Sequence, residues 1–241
     1  MIKVFAYIGY ELISLLLLTH IFLVFDQLDN LTVFRKNIMK TSNIALLIEK
    51  SINVIDSINK GVQLTPEEQQ FFCDNFECQK IKKNEFAIQI GDFEKYLYFI
   101  ESGILRYWTK EVGTDLDKEI TFWFSFPGEF ANSYFSLRQG QPSLINIQAL
   151  TDCVIWKLEK TALTELYKTS LNINKIARIV LEDVLIRKIS RETSILGYSC
   201  EKRYRDLIAR DKELIQNIPL KYIASYIGVT PQRLSQIRKK I

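Results

Sequence analysis

Hydrophobic and polar positions change their period several times along this chain, and each change predicts a different kind of element. Val4 to Phe25 is apolar almost throughout, broken mainly by Glu11 and His20. That stretch just reaches the roughly 20 residues a bilayer-spanning helix needs. From residue 42 the apolar residues take helical spacing, in Ile44–Ile48 and again at Val54, Ile55 and Ile58. Thr65, Pro66 and Glu68 predict an N-cap, a first-turn proline and a capping box, opening a short helix that runs to about Asn75.

Residues 76–160 then switch towards period two. Phe76–Ile81, Phe86–Ile90, Tyr96–Ile100, Ile104–Trp108, Glu119–Phe124, Ile145–Leu150 and Cys153–Lys157 are short, rich in β-branched and aromatic residues, and often alternating. Turn signals separate them: Lys83-Asn84, Gly91-Asp92, Ser102-Gly103, Gly113 to Asp115, Pro127-Gly128, Gln139 to Pro142 and Thr151-Asp152. Short strands at this spacing predict a sandwich or jelly roll. Helical spacing returns in Lys160–Lys168 and in a long helix from Ile173 to about Ile195. Ile176, Ile179, Val180, Val184, Leu185 and Ile189 form its apolar stripe, which predicts pairing with a second copy. Packing of that stripe on the chain's own strands is the alternative.

The last 24 residues, Ile218–Ile241, fit a helix-turn-helix position by position. Ala224 is small where a second helix must cross closely, and Gly228 stands where the turn asks for a left-handed residue. Ile223, Ile227, Val229, Leu234 and Ile237 supply the apolar contacts. Thr230 and Pro231 predict the N-cap and first residue of the second helix. On that helix Gln232, Arg233, Ser235, Gln236, Arg238, Lys239 and Lys240 face outward. Amides can read adenine edges, and Arg and Lys can read guanine or hold phosphates. Thr230, Gln232, Arg233, Ser235, Gln236, Arg238, Lys239 and Lys240 are therefore the candidate DNA-binding residues.

Composition narrows the function classes. The chain has 241 residues, 47% of them hydrophobic and 25% charged, which excludes wholesale disorder and leaves room for one large domain or two modest ones. It has one histidine, His20, so two-histidine metal motifs are excluded, as are serine or cysteine triads that do not use His20. No phosphate-cradling glycine loop is present. Cys73, Cys78, Cys153 and Cys200 contain no C-x-x-C pair, so reduced thiols without a metal are expected. The net charge is +4, yet residues 197–241 alone carry +6, from ten Lys and Arg against four acids. A basic module on a near-neutral body points to a polyanionic partner. These features favour binding over catalysis, with no cofactor.

The apolar N-terminal segment has three readings: a membrane anchor, a helix buried by the body, or sequence upstream of a start at Met39. Arg35, Lys36 and Lys40 follow it, which would keep the body on the cytoplasmic side of a membrane.

The order of short helix, β-roll, long helix and helix-turn-helix resembles the Crp/Fnr family of bacterial transcription regulators. The resemblance covers about residues 42–241. It rests on Ile88–Asp92, Tyr96–Gly103, Phe126–Phe130, Gln141–Ser143 and the helix-turn-helix. It implies an α+β architecture: an apolar segment over 1–40, a cyclic-nucleotide-binding-like, jelly-roll-like sensor domain over 42–168, a dimerisation helix over 169–196, and a DNA-binding module over 197–241 that lacks a clear β-wing. It also implies a cytoplasmic homodimer that binds double-stranded DNA, with RNA polymerase as a further partner. In members that bind cyclic nucleotides, a Gly-Glu pair holds the ribose and an Arg-Ser pair holds the cyclic phosphate. Gly128-Glu129 matches the first pair. Ser143 matches the serine, but Pro142 stands in the arginine's place and Arg138 lies four residues early. Gly128, Glu129, Arg138 and Ser143 are therefore the effector-pocket candidates, with a ligand other than cyclic AMP or none expected. The iron–sulfur members' N-terminal cysteine cluster is missing. A membrane-tethered ligand-binding module, with a basic tail contacting lipid or protein, is the alternative function.

Overall fold

The computed structural model describes residues 44–55, 63–111, 118–210 and 215–240. The apolar stretch Val4–Phe25 with His20, the Met39 start, Ile58, the Gly113 to Asp115 turn and the charges at 211–213 lie outside the described residues.

Two helices open the described chain, α1 (Ile44–Ile55) and α2 (Pro66–Asn75). Thr65 caps α2 as its sequence requires. Its hydroxyl accepts from the Glu68 N–H at 3.2 Å, and the Glu68 carboxylate accepts from the Thr65 N–H at 2.9 Å. The same carboxylate accepts from the Ser170 hydroxyl and from the Asn172 amide, so it ties α2 to the start of the long helix. Burial alone would raise its pKa; the Ser170, Thr65 and Asn172 donors outweigh burial and hold it below the ordinary 4.5. A lowered folded-state pKa means stability that is fully present above about pH 4.5 and is lost as pH falls through the lower folded value. Glu68→Gln should therefore destabilise the protein at neutral pH and flatten the acid limb of its stability curve. Urea midpoints measured from pH 7 down to 3 check this.

Eight strands follow: β1 (Phe76–Ile81), β2 (Phe86–Ile88), β3 (Tyr96–Ser102), β4 (Leu105–Lys110), β5 (Glu119–Ser125), β6 (Phe130–Ala131), β7 (Asn146–Ala149) and β8 (Cys153–Glu159). They form two antiparallel four-stranded sheets, in the orders β1-β8-β3-β6 and β2-β7-β4-β5. Strand alternation sorts the side chains. Tyr98, Ile100, Leu105, Tyr107, Ile147, Ala149, Cys153 and Ile155 fill the space between the sheets. Phe99 and Leu158, one position out of phase, turn to the outer face of the first sheet and meet α1 and α2. Gly103, in the β3–β4 turn, has φ +94, and a Cβ there would lie 2.4 Å from the Cys153 sulfur and 2.7 Å from a carbonyl oxygen, so only glycine fits. The seven strands expected from sequence all form. β6 and the short helix α3 (Tyr134–Gln139) between β6 and β7 are additions.

After β8 come α4 (Lys160–Thr169) and the 27-residue α5 (Leu171–Gly197). The α5 stripe divides into a part packed on the chain's own core and a part left exposed. Ile173, Ile176 and Ile179 pack into the chain's own core with α1. Leu181, Leu185 and Ile189, at four-residue spacing, are exposed, as is Leu196. Among the described residues no helix is long and apolar enough to cross a membrane.

The chain closes with α6 (Cys200–Arg210), α7 (Leu220–Ile227) and α8 (Pro231–Arg238). Their core is shared with the roll. Ile104, Phe124, Phe126 and Leu150 from the strands and their turns lie in one cluster with Tyr204, Leu207, Ile223, Ile227, Leu234 and Ile237.

Candidate functional site

The arrangement of α7, its turn and α8 follows from a few residues. Gly228 ends α7 in the left-handed region, at φ 74 and ψ 41, and its N–H donates to the Ala224 and Ser225 carbonyls. The Val229 N–H also reaches the Ala224 carbonyl, at 2.9 Å. This reverses the chain in one residue and completes the end of the helix. Ala224 is fully buried, so α8 can cross close to α7. Thr230 then caps α8 by accepting from the Arg233 N–H at 3.2 Å, and Pro231 takes the first turn. Leu234 and Ile237 are buried beneath α8.

The opposite face is solvent-facing. Gln232, Arg233, Gln236, Arg238, Lys239 and Lys240 are all exposed. Two candidates are partly committed locally. The Thr230 hydroxyl serves as the cap, and the Ser235 hydroxyl, half-buried, donates to the Pro231 carbonyl at 3.0 Å. Arg233 is held across the face by the Gln236 side-chain oxygen at 3.3 Å and by Glu201 of α6 at 3.4 Å. An exposed ion pair this long is weak and salt-screened, so it can exchange for a phosphate or a base. Arg203, on α6, serves structure instead: it donates to the Ile195 and Tyr198 carbonyls and closes the end of α5.

The effector-pocket candidates fall into three separate environments. Gly128 forms the tight turn after β5, with φ 84, and its N–H donates to the Ile100 carbonyl of β3. Glu129 beside it is 5% exposed. One carboxylate oxygen accepts from the Phe126 N–H at 3.1 Å, and the other accepts from Arg187 of α5 at 3.0 Å. Arg187 also pairs with Asp183 at 2.7 Å and lies over the Trp123 ring. Burial works against its charge, but Glu129 and Asp183 outweigh burial and hold its pKa above the ordinary arginine range. Ser143 is buried elsewhere. Its hydroxyl meets that of Ser133 at 2.8 Å and donates to the Ile145 carbonyl. Arg138 stands exposed in the last turn of α3.

Sequence reasoning missed a carboxylate that bonds Ser133. Glu94 is buried, and accepts from the Ser133 N–H at 3.1 Å, from the Tyr98 hydroxyl at 3.1 Å, and from the Lys95 and Tyr96 N–H groups. Burial raises its pKa despite these donors, and burial and Glu94 together push the Tyr98 phenol up. A lone Glu after Gly91-Asp92-Phe93 reads as loop surface; only the folded roll brings it against the start of α3. Arg187 was missed for the same reason, being 58 residues from its partner.

Residues 78–170 match the cyclic nucleotide-binding domain family. No curated protein matches the sequence. Among solved structures, the chain is similar to a protein from Eubacterium rectale described as a transcriptional regulator of the Crp/Fnr family, at 17% identity and TM-score 0.59, over 73% of this chain and 83% of that one. It is similar to FixK2 from Bradyrhizobium japonicum, at 14% identity and TM-score 0.58, over 68% and 83% of the two chains. It is also similar to the c-di-GMP responsive global regulator CLP of Xanthomonas campestris, at 17% identity and TM-score 0.54, over 71% and 88%. Residues 78–170 thus resemble cyclic nucleotide-binding domains, and the chain has the fold seen in the Crp/Fnr transcription regulators it is similar to.

Proposed function

We propose that this protein is a sequence-specific, DNA-binding transcription regulator that acts as a homodimer in the cytoplasm, and not an enzyme. The observation that carries the reading is α8 and the residues just after it: Gln232, Arg233, Gln236 and Arg238 exposed on the helix, Lys239 and Lys240 exposed beyond it, with Leu234 and Ile237 packed on α7. Amides and guanidinium groups in the first turns of such a helix suit base edges, and the cations at and just past its C-terminal end suit the phosphate backbone. The exposed Leu181, Leu185 and Ile189 of α5 give a second copy an apolar seam to cover. Two copies joined there would read two half-sites about one helical turn apart. A likeness to regulators supports the reading; RNA polymerase is a further proposed partner on that ground. Selection of bound fragments from random duplex DNA tests it. Enrichment of a two-fold symmetric sequence is expected, and a pool that stays random would refute it.

We infer further that cyclic AMP is not the effector. Glu129 is engaged by Arg187, Ser143 by Ser133, and Arg138 is exposed at the end of α3. A cyclic phosphate in the roll would forgo two charge-assisted hydrogen bonds from an arginine, each worth roughly 1.5–3 kcal/mol. Calorimetric titration should therefore give no micromolar binding. Micromolar binding that vanishes in Arg138→Ala would overturn this.

A further inference from the structure

Arg106 occupies a place that its strand does not advertise. In β4 the alternation sends Leu105 and Tyr107 between the sheets, so Arg106 faces outward from the second sheet. An outward arginine is ordinarily solvated, yet this one is 0% exposed, because α7 lies over it. Its guanidinium sits 3.6 Å from the centre of the Tyr222 ring, with the Trp108 ring at 5.2 Å. Its Nε–H donates to the Thr121 hydroxyl at 2.8 Å, and Nη1 donates to Glu119 at 2.7 Å.

The joint continues along β5, an edge strand of that sheet. The Thr121 backbone N–H donates to the Ser225 hydroxyl of α7 at 2.9 Å, so the helix takes up a donor that an edge strand leaves open. The Phe124 and Tyr226 rings meet at 5.2 Å. From the long helix, Arg191 donates to the Tyr226 carbonyl at 3.2 Å. Roll and α5 thus grip α7 from two sides, and Leu234 and Ile237 fix α8 to α7 in turn.

We propose that Arg106, with Tyr222 and Ser225 across the joint, determines the spacing specificity of DNA recognition. This rests on the reading that α8 binds DNA and that copies pair through α5. If α5 joins the copies, the distance between the two α8 helices is set by α5, the roll and α7, with the Arg106 joint clamping α7 to the roll. A stiff link gives a sharp optimum of half-site separation, whereas a loosened one tolerates other separations. Without the clamp α7 is held to the roll by apolar contacts and to α5 by Arg191, so each helix-turn-helix has more freedom to shift about Tyr198 and Ser199.

The experiment uses the full chain and three variants: Arg106→Met, Tyr222→Ala and Ser225→Ala. Arg106→Met keeps the length of the side chain, and Nη2 makes no hydrogen bond among the described residues, so a folded variant is expected; a thermal melt verifies it. Affinity is measured on the selected symmetric site, on the same site with one to three base pairs inserted at its centre, and on a single half-site. The wild-type protein is expected to lose about tenfold or more on the altered spacings, while the three variants flatten that dependence to about threefold and leave half-site binding unchanged. Variants that keep the wild-type spacing profile overturn the proposal, as does a wild-type protein indifferent to spacing. A wild-type protein that prefers no sequence refutes the DNA reading itself, which separates the two failures.

Discussion

Arg187→Ala is expected to cost about 3–5 kcal/mol of folding stability, the usual range for breaking a buried ion pair by removing one partner. The size follows from what the substitution leaves behind. Glu129 would lose the guanidinium that faces it while keeping the Phe126 N–H, and Asp183 would lose the same cation. Trp123 would lose the positive charge above its ring. In a chain of this size the loss corresponds to a fall in Tm of roughly 6–20 °C. The double variant Arg187→Met, Glu129→Gln should recover much of it, because it removes the facing charge as well and keeps most of the volume. Calorimetric melting of the two variants decides the matter. A single variant within about 1 kcal/mol of the wild type would mean that Glu129 is solvated by other means. The pair matters for function because it fastens the turn after β5 to the middle of α5, and so links the roll to the helix proposed to join the copies.

The second large effect concerns the proposed reading face. Gln236→Ala should cost about 1–3 kcal/mol on the best site, or roughly 5- to 150-fold in affinity, and should relax the preference at one position of each half-site. Lys239→Ala should instead weaken selected and random duplexes alike and reduce the slope of log affinity against log salt by about 0.9 for each phosphate it no longer neutralises. The distinction follows from position: Gln236 lies within α8 next to Arg233, whereas Lys239 lies past its last turn. Equal losses on specific and random DNA for both variants would reject the assignment of roles.

Much of the fold was legible because its signals are local. The Thr65–Glu68 box spans four residues, and the Ala224, Gly228 and Thr230 spacing is a pattern of one short turn. Both are fixed by hydrogen bonds between near neighbours, which a sequence displays directly. β6 was not legible. It is two residues long, too short for any period, and exists because Tyr98 and Phe99 offer it an edge. The α5 stripe was legible as a stripe but not as two: period alone cannot tell that α1 covers its first half and leaves Leu185 and Ile189 bare. The polar site was the least legible. Arg106, Glu94 and Arg187 carry no local signature, and each is buried by an element distant in sequence. Strand alternation even argues the wrong way for Arg106, since it places a charge on a face that looks exposed until α7 is laid over it.

Whether α8 reads DNA is tested most directly by a fluorescence anisotropy titration. The full chain is titrated against the selected symmetric duplex and a scrambled duplex of equal length, at several salt concentrations. If α8 reads base sequence, the symmetric duplex binds tighter by a factor of about 10³ or more at physiological salt, with two chains per duplex and affinity that falls as salt rises. Equal affinity for the two duplexes at every salt concentration would contradict it.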